Sequence, residues 1–573
     1  MQHLIRPVST LNGLWDFAFL GPCDLAAFNP MAPPACPEKM PVPAAFDALP
    51  AYAGQRGAAV FRRRFSVPPG RPARIEFGAV SLWTRVYVDG LFRREHACGY
   101  APFAVEVPPE AHAERELLVL VDNRFDFARV PMHEEYFDFY QYGGIIRDVT
   151  LHVLPARAPF VERVQVWPAE GYREGRVNVT IEFGGSVPAV VSFTTQFDRA
   201  EPEIHHEVKL QGAQAVLALT VPAPRIWSPD SPALHTLRVT VRSPGMETDL
   251  DDAAVRFGLR RIKAHGGALW LNGERLKLRG YNRHEWHPNY GPCTPTLQMI
   301  ADLQLLRDLG CNFIRGSHYP QDQRFLDLCD ELGFLVWEEN LGWGQRAKTF
   351  DSEKFRRDHE AALRAMVRAS SHHPSVIIWG FLNEAGTDEA YVRPVLEQTV
   401  ATLRSLDPTR LVSYASMFAL TDRHFDLVDV IALNLYPGWY GCEGAEAPLE
   451  LIAPFIRKCL TQLDAAGFAE KPVVISEIGA EGLYGWHDAH HGFFTEEYQA
   501  EYLRRASEEA LGNPRCSGVA LWHFSDVRTY GGGWSLKRPR TFNNKGTLDE
   551  YRRPKAAYAA VRSVFSGGRH GPR

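Results

Sequence analysis

Two glutamates, Glu384 and Glu477, each follow a short apolar run of the sequence. The first lies in SVIIWGFLNEAG, residues 375–386, and the second in KPVVISEIGAEG, residues 471–482. An apolar run without alternation is typical of a strand that is buried on both faces in a parallel sheet. Two carboxyl groups that face each other from two strand ends suit the cleavage of a glycosidic bond. One group protonates the leaving oxygen while the other attacks or stabilises the anomeric carbon.

A structural role for the two glutamates is the alternative. Each of them could pair with an arginine such as Arg283 or Arg315 in a buried ion pair that only holds the fold together. The presence of both motifs favours the catalytic interpretation, because two independent ion pairs would otherwise have to arise at equivalent strand ends.

Segments that alternate between helix and strand surround these glutamates. In TPTLQMIADLQLLRDLGCNFIRG, residues 294–316, the apolar Met299, Leu303 and Leu306 recur at helical spacing before a glycine that can end the helix. The same order of elements returns in RFLDLCDELGFLVWEEN, residues 324–340. The predicted strands cover residues 311–314, 334–337, 376–379, 430–433, 473–475 and 519–522.

Repeated units of this kind predict a (β/α)8 barrel over residues 258–573. The carboxyl ends of the strands of such a barrel converge on its active site. Both glutamates would therefore reach one cleft.

Two β-rich domains are predicted before the barrel. Residues 1–155 alternate like half-buried antiparallel strands, and Asp89-Gly90 is a turn pair typical of two-residue hairpins. Residues 156–257 repeat the alternation, for example at Val177 and Val179, which predicts a second, smaller β-sandwich. A chain of 573 residues is too long for one core, and its length predicts about three or four domains.

Charge and composition exclude several classes of partner. The net charge of −5 is small for 573 residues and no long basic run occurs, so neither nucleic acid nor an anionic membrane is expected. The start lacks the pattern of a signal peptide, and no apolar run of about 18 residues is present. The nine cysteines have no CxxC spacing, which indicates reduced core residues. We therefore expect a cytoplasmic protein without a membrane segment.

A histidine-rich stretch, WHDAHHGFF at residues 486–494, is the candidate for a metal site. Its His487, His490 and His491 have suitable side chains, but no acidic or cysteine partner stands at a recognised ligand spacing. No metal ion and no other cofactor is predicted.

The glutamate segments and two further motifs resemble glycoside hydrolase family 2. HHPSVIIWGFLNEAG and KPVVISEIGAEG are similar to the acid/base and nucleophile segments of that family, and GYNRHEWHP and RGSHYP to its markers on the first two barrel strands. The resemblance extends over nearly the whole chain. It implies a jelly-roll sugar-binding domain at 1–155, an immunoglobulin-like β-sandwich at 156–257 and a catalytic TIM barrel at 258–573, in the order predicted above.

The same resemblance implies a retaining double displacement. Glu384 would be the acid/base and Glu477 the nucleophile, with their carboxyl groups about 5–5.5 Å apart. Glu384 must then hold a proton at working pH, whereas Glu477 needs donors that keep it ionised. No cofactor is implied, although some β-galactosidases of the family use magnesium. Relatives are often dimers or tetramers, so a homodimer or homotetramer is an open expectation.

The end of the chain resembles the part of β-glucuronidases that binds the carboxylate of the sugar. Asn543-Asn544-Lys545-Gly546 is similar to their Asn-x-Lys pattern, and a Lys ammonium beside an Asn amide offers charge-assisted hydrogen bonds to a hexuronate. The implied activity is hydrolysis of terminal β-D-glucuronides, with an ordinary polar turn as the alternative role of this segment. The full set of substrate-binding residues implied by the resemblance is Asp138, His318, Asn383, Tyr436, Tyr440, Trp522, Arg540, Asn543 and Lys545.

Several departures keep other sugars open. NRHEWHP is closer to the β-galactosidase form, Ile478 stands where β-glucuronidases usually have Tyr, and Pro539 holds the place of an expected Arg between Arg538 and Arg540. A β-galactosidase or β-galacturonidase of the same family is therefore the alternative, and a non-catalytic carbohydrate-binding protein is a remote one. The stretch 338–355 leaves little room for a long lid. We therefore expect an open site that accepts large glycans or bulky aglycones.

Overall fold

The amino-terminal region folds into layered antiparallel sheets in the structure, a computed structural model that describes residues 1–133, 138–242, 248–530 and 538–567. Its two larger sheets share one core, in which Ile75 of one sheet and Val119 of the other are fully buried. The four-stranded sheet has the order Val8–Thr10, Val149–Val153, Ala73–Phe77 and Phe103–Val107. The six-stranded sheet has the order Glu38–Val42, Gly13–Gly21, Ala58–Ser66, Glu114–Asp122, Trp83–Val88 and Leu91–His96. A third, short sheet has the order Ala44–Ala45, Gly144–Ile145 and Val80–Ser81.

The hairpin predicted at Asp89-Gly90 is confirmed. Strands Trp83–Val88 and Leu91–His96 pair antiparallel on either side of it, and both turn residues have positive φ, 52° and 74°. This backbone conformation matches the twist of the two strands, which explains the choice of Asp and Gly.

A second antiparallel sandwich follows the first. Val177 and Val179 point into its core, as their alternation with polar residues predicts. One sheet has the order Pro159–Pro168, Arg176–Gly185 and Gln214–Thr220. The other has the order Ile204–Lys209, Val190–Phe197, His235–Arg242 and Asp249–Phe257, and a short pair joins Trp227–Ser228 to Ser231–Pro232.

The carboxy-terminal region forms a closed barrel of parallel strands, so the predicted (β/α)8 fold is confirmed. Its strands are β1 (Leu278–Arg283), β2 (Phe313–Gly316), β3 (Leu335–Glu339), β4 (Val376–Asn383), β5 (Leu411–Ser416), β6 (Ile431–Asn434), β7 (Val473–Glu477) and β8 (Cys516–Leu521). Its helices are α1 (Thr296–Asp308), α2 (Gln323–Leu332), α3 (Ala347–Phe350), α4 (Glu353–Ser370), α5 (Arg393–Leu406), α6 (Ile452–Ala465), α7 (Glu496–Gly512) and α8 (Ala556–Phe565). A short pair joins Val527–Arg528 to Phe542–Asn543.

The lower end of the barrel, at the amino ends of its strands, is closed by a three-stranded sheet. This base sheet has the strands Ile262–His265, Ala268–Leu271 and Glu274–Leu276. Its apolar side chains pack against residues of the barrel strands in one cluster, for example Leu269 against Phe313 and Leu335.

The amino-terminal domain docks onto the barrel through buried contacts. Arg147 donates to Oε2 of Glu285 at 2.8 Å, and the rings of Tyr100 and Tyr319 stack with centroids 3.8 Å apart. Asp138 of this domain lies at the upper end of the barrel, where the strands end. No helix among the described residues is long and apolar enough to cross a membrane.

Candidate active site

A cavity of about 1120 Å³ opens at the carboxyl ends of the barrel strands. Glu384 and Glu477 both line it, and Asp138 and Phe139 reach it from the amino-terminal domain. Two domains therefore build one wall around the pair of carboxyl groups, at the end of the barrel where such folds place their chemistry.

Glu384 follows β4 directly and is held by its backbone and its side chain. Its φ of 51° lies in the left-handed region that non-glycine residues rarely adopt. Its N–H donates to the carbonyl oxygen of Ala415 at 2.9 Å, and Nδ2 of Asn434 donates to its Oε1 at 2.8 Å. Burial raises the pKa of Glu384, the Asn434 hydrogen bond opposes the shift, and the negative charge of Asp138 adds to it.

Glu477 ends β7 and accepts hydrogen bonds on both carboxylate oxygens. Nη1 of Arg315 donates to Oε1 at 2.7 Å, and the hydroxyl of Tyr436 donates to Oε2 at 2.7 Å. Burial raises the pKa of Glu477, the Arg315 guanidinium opposes that shift, and the charge of Glu384 adds to it.

The two carboxyl groups influence each other, because the charge of Glu384 contributes to the raised pKa of Glu477. Glu477 accepts from a cation and a phenol, whereas among the described residues the carboxyl of Glu384 accepts only from an amide. These contacts favour the ionised form more strongly at Glu477 than at Glu384. This difference suits a general acid beside a nucleophile.

Arg315, on β2, connects several residues at the base of the cavity through its guanidinium group. Its guanidinium also forms a two-pronged ion pair with Glu339, with Nη2 2.8 Å from Oε2, and donates from Nη2 to Oδ1 of Asn383 at 2.9 Å. Arg315 and Glu477 thus form the ion pair that the sequence suggested as a structural role for the glutamate. Glu477 nevertheless lines the cavity. Arg283 pairs with an aspartate of α1 instead.

The amide of Asn383 is oriented by two donors. Its Oδ1 accepts from Arg315, as above, and from Nδ2 of Asn434 at 3.0 Å. Because the oxygen takes both donors, the NH₂ group of Asn383 is left to donate to a ligand in the cavity.

His318 stacks on Trp522. The two rings lie 5.1 Å apart with an interplanar angle of 16°, and Nδ1 of His318 lies 2.9 Å from Oε1 of Glu339. Burial, with the nearby Arg315 charge, holds the pKa of His318 well below its ordinary value of 6.5. An Nδ1–H that donates to Glu339 leaves the Nε2 lone pair to accept a hydrogen bond from a ligand hydroxyl.

A charged cluster forms the far wall of the cavity. Nε of Arg538 donates to Oδ1 of Asp138 at 3.1 Å, and its Nη2 donates to the hydroxyl oxygen of Tyr440 at 2.8 Å. Nζ of Lys545 donates to the same oxygen at 2.9 Å and lies 3.4 Å from Oε1 of Glu481. A phenol oxygen that accepts from two cations must donate its own proton elsewhere, and Tyr440 lines the cavity.

Comparison with known proteins agrees with this geometry. The family model for "Glycosyl hydrolases family 2, TIM barrel domain" matches residues 262–567, and that for "Glycosyl hydrolases family 2" matches residues 160–260. The chain belongs to glycosyl hydrolase family 2. It is therefore a glycoside hydrolase, and the predicted family is confirmed.

Relatives of this family 2 hydrolase include uronidases. Two structures of a GH2 β-galacturonidase from Eisenbergiella tayi, bound to glycerol or to galacturonate, are 32% and 31% identical, with TM-scores of 0.89 and 0.88. Each match covers 99% of this chain and 97% or 98% of the other. A β-glucuronidase from Streptococcus agalactiae is 27% identical over 96% of this chain and 94% of its own. The structure of Bifidobacterium dentium β-glucuronidase complexed with coumarin-3-O-glucuronide is 25% identical, with a TM-score of 0.88, 99% of this chain and 98% of the other covered.

The structure brings most of the predicted site residues of this family 2 hydrolase into the cavity and leaves three outside its wall. Lys545 is fully buried behind Tyr440, and Asn543 is buried with its Oδ1 3.3 Å from the backbone nitrogen of Lys545. Arg540 donates to Asn544 and Glu550. The residues that line the cavity are Asp138, His318, Asn383, Glu384, Tyr436, Tyr440, Glu477 and Trp522.

The prediction for Arg540 needs correction, because the neighbouring Arg538 takes the place expected of it. Among the described residues of this segment, Arg538 is the arginine that lines the cavity. The turn at Pro539–Thr541 gives Arg540 a φ of 63° and directs the two arginines to different sides. The order of residues alone does not show which arginine turns inward.

Other residues of the site were not predicted from the sequence. Glu339 and Asn434 stand at the ends of β3 and β6, and they carry the same signal of a polar side chain after an apolar strand that identified Glu384. No sequence pattern marks the remaining part of the wall, which we call the apolar shelf. It consists of Met417, Phe418, Leu420, Leu451 and Phe455.

Potential metal ligands meet at one place in the described residues of this hydrolase, away from the cavity. Asp327, Asp330 and His373 lie close enough to hold an ion, but protein groups already occupy them. Nη2 of Arg256 pairs with Asp327 at 2.6 Å, and Nδ1 of His373 lies 2.5 Å from Oδ2 of Asp330. The cluster is explained as an ionic network that supports the lower end of the barrel.

Proposed function

We propose that this family 2 hydrolase releases terminal β-D-glucuronic acid through a covalent glycosyl-enzyme. The supporting observation is the contrast between two carboxyl groups of one cavity, since Glu477 is held by a cation and a phenol and Glu384 by an amide. In the first step Glu477 attacks the anomeric carbon, the bond to the leaving oxygen breaks, and Glu384 gives that oxygen its proton.

The second step reverses the role of Glu384. As a carboxylate it takes a proton from water, the water oxygen bonds to the anomeric carbon, and the ester to Glu477 breaks. Each carbon–oxygen bond forms on the face opposite the one that breaks, so two inversions retain the β-configuration. Asn383 and His318 supply a donor and an acceptor for sugar hydroxyls near the reacting carbon.

The far wall supports a uronic acid as the sugar. The Arg538 guanidinium and the Tyr440 hydroxyl face the cavity, and the Lys545 ammonium donates to Tyr440 from behind. A carboxylate on C5 of the sugar would receive a charge-assisted hydrogen bond from Arg538 and a strengthened one from Tyr440. The C6 hydroxyl of a neutral hexose carries no negative charge and would form weaker hydrogen bonds with these donors.

A β-galacturonide is the second candidate substrate. The Eisenbergiella tayi β-galacturonidase structures are 31% and 32% identical to this chain, above the 25% of the Bifidobacterium dentium β-glucuronidase structure. Galacturonic and glucuronic acids differ only in the configuration at C4 and carry the same carboxylate. The arguments from Glu384, Glu477 and Arg538 therefore hold for both.

A panel of 4-nitrophenyl glycosides tests the proposal. We expect kcat/KM for the β-D-glucuronide or β-D-galacturonide to exceed that for the β-D-galactoside and β-D-glucoside by roughly 100-fold. Only the uronides can form the charge-assisted hydrogen bond between the sugar carboxylate and Arg538. The ratio of the two uronides decides between them, and Glu477→Gln should abolish turnover of all four. NMR of the first sugar released should show the β-anomer. A galactoside turned over as well as the uronides would overturn the proposal.

The cysteines support a reducing compartment. All nine are free in the structure, and disulfides are rare where thiols are kept reduced. A cytoplasmic location is therefore part of the proposal.

A further inference from the structure

A second groove, of about 440 Å³, lies on the outer face of the base sheet. The base sheet leads directly into β1 and packs under the barrel, so the groove is at the opposite end of the barrel from the catalytic cavity. The residues that line it are Tyr172, Arg173, Arg261, Lys263, His265, Trp270, Asn272 and Gly273.

The alternation of the base sheet puts cations and an indole on the same outward face. Ile262 and Leu269 point toward the barrel and are buried. Lys263 lies directly opposite Trp270 in the antiparallel register, so both side chains point the other way. His265, two residues after Lys263, shares that face, and its ring is parallel to the indole at 5.0 Å.

Positive charge in this groove is not neutralised by the protein. Within the described part of the chain, none of the cations Arg173, Arg261 and Lys263 forms an ion pair. The nearest acidic residues along the sequence, Glu174 and Glu274, do not line the groove. Three unpaired cations are thus gathered on a chain whose net charge is −5, which favours an anionic ligand at this place.

We propose that this groove binds an acidic oligosaccharide, as an accessory site separate from the catalytic cavity. The C–H face of a pyranose ring packs against the flat, electron-rich face of an indole such as Trp270. A carboxylate on the ring would reach Lys263 on the flanking strand or Arg261, which directly precedes that strand. The groove has the volume of an ordinary small-ligand site of roughly 300–1,000 Å³, whereas a nucleic acid requires a wider positive surface. The proposal does not depend on which sugar the catalytic cavity hydrolyses.

Affinity electrophoresis tests the proposal. The Glu477→Gln protein is run in native gels that contain either polygalacturonate, whose α-linkages the proposed activity does not cleave, or neutral dextran. We expect retardation by polygalacturonate alone, weakened by added salt. Trp270→Ala and the double substitution Arg261→Ala/Lys263→Ala should each lower the apparent affinity at least fivefold. Trp486→Ala and Arg64→Ala, which remove an exposed indole and an exposed cation elsewhere, are the matched controls.

Three results would overturn the accessory site. They are equal retardation in both gels, unchanged retardation of the groove variants, and tighter binding of a 20-nucleotide single-stranded DNA than of a uronic acid oligomer. When the groove substitutions are made in the protein that retains Glu477, kcat/KM for nitrophenyl uronides should stay within twofold of the parent value, because the groove is remote from the cavity. If the protein bound polygalacturonate but did not hydrolyse the nitrophenyl uronides, the proposed function would be refuted and the accessory site would still be supported.

Discussion

At the residue scale, the arginine and lysine of the far wall act differently. Arg538 lines the cavity, whereas Lys545 is fully buried and contacts Tyr440 and Glu481. Burial, reinforced by the Arg538 charge, lowers the pKa of Lys545 to about 8, so it remains mostly protonated at pH 7. In the proposed function Lys545 would therefore act on the carboxylate of the sugar through Tyr440 and not by contact.

Substitution of these residues should change the choice of sugar. Arg538→Gln should lower kcat/KM for a nitrophenyl uronide by about 10- to 100-fold, since a hydrogen bond to a charged group is worth about 1.5–3 kcal/mol. Residual turnover of the galactoside should fall less than threefold. Tyr440→Phe and Lys545→Met should also lower kcat/KM selectively for the uronide, but by less than Arg538→Gln. Each changes only one of the two side chains that connect the Lys545 ammonium through the Tyr440 hydroxyl to the sugar carboxylate.

Arg540→Gln is the matched control for these variants, because Arg540 lies two residues away and donates to Asn544 and Glu550. It should leave the ratio of uronide to galactoside turnover unchanged. Equal losses on both sugars in Arg538→Gln would instead indicate that Arg538 only supports the structure.

The pH profile should report the hydrogen bond from Asn434 to Glu384. That bond stabilises the carboxylate and lowers its pKa, so Asn434→Ala should raise the pKa of the acid. In the proposed mechanism the proton on Glu384 is required for turnover, so the alkaline limb of kcat/KM should move to higher pH. The acidic limb, which reports protonation of Glu477, should move less. A shift of the alkaline limb to lower pH would contradict the assignment of Glu384 as the acid.

The sequence predicted the two glutamates because each follows an uninterrupted apolar strand. It could not distinguish Arg538 from Arg540, because the positive φ of Arg540 determines the direction of each side chain. Nor did it show that Arg315 joins Glu477, Glu339 and Asn383, since these residues lie on different strands and meet only when the barrel closes.

At the element scale, the strands were easier to predict than their ends. β4 continues to Asn383 and β7 to Glu477, beyond the apolar runs that predicted them. β5, Leu411–Ser416, was missed because LVSYAS mixes serines with apolar residues and resembles neither a buried nor an alternating strand. The loop after β5 contributes residues to the apolar shelf, which no sequence pattern predicted.

The part of the apolar shelf that follows β5 should influence which aglycones bind well. Met417 and Leu420 are 47% and 43% exposed in the cavity, and an apolar aglycone would cover them. The double substitution Met417→Ser/Leu420→Ser should raise KM about fivefold for an arylated uronide with two fused rings, since about 1 kcal/mol of apolar burial is lost. KM for a methyl uronide should hardly change.

Leu297→Ser is the control for the shelf, because Leu297 is 78% exposed on α1 and does not line the cavity. If KM for both aglycones rose together in the shelf variant, the shelf would serve the fold and not the ligand. The open cavity expected from the short stretch 338–355 would then lack an aglycone surface on this side.

At the scale of the whole molecule, the site depends on the docking of two domains. Asp138 comes from the amino-terminal domain and Arg538 from the barrel, yet they form an ion pair on the cavity wall. The order of domains follows from the change of hydrophobic period along the chain. Their docking does not, because contacts such as Arg147 with Glu285 join residues far apart in sequence, and no local pattern records them.

Glu338 is a buried glutamate at the interface between the amino-terminal domain and the barrel. Glu338 of β3 borders a small cavity of about 110 Å³ beside Arg147. Its Oε1 accepts from the hydroxyl of Ser370 at 3.2 Å and from the backbone N–H of Gln321 at 3.1 Å. Its Oε2 is buried without a hydrogen-bond partner among the described residues. Burial raises the pKa of Glu338 from 4.5 to about 7, and the Ser370 hydrogen bond opposes that shift.

The folded protein should therefore lose stability as pH rises through 7, and Glu338→Gln should remove that loss. A carboxyl with a raised pKa binds its proton more tightly in the folded state, so its full stabilisation is present below 4.5 and is lost above 7. At pH 8.5 the variant should unfold at a temperature one to a few degrees above the parent, for about 1–3 kcal/mol. At pH 5.5 the difference should be much smaller. Glu360→Gln, on the outer face of α4, is the control and should show no such dependence on pH. If the melting temperatures of the parent and of Glu338→Gln differed by the same amount at both pH values, Glu338 would not be the group that titrates.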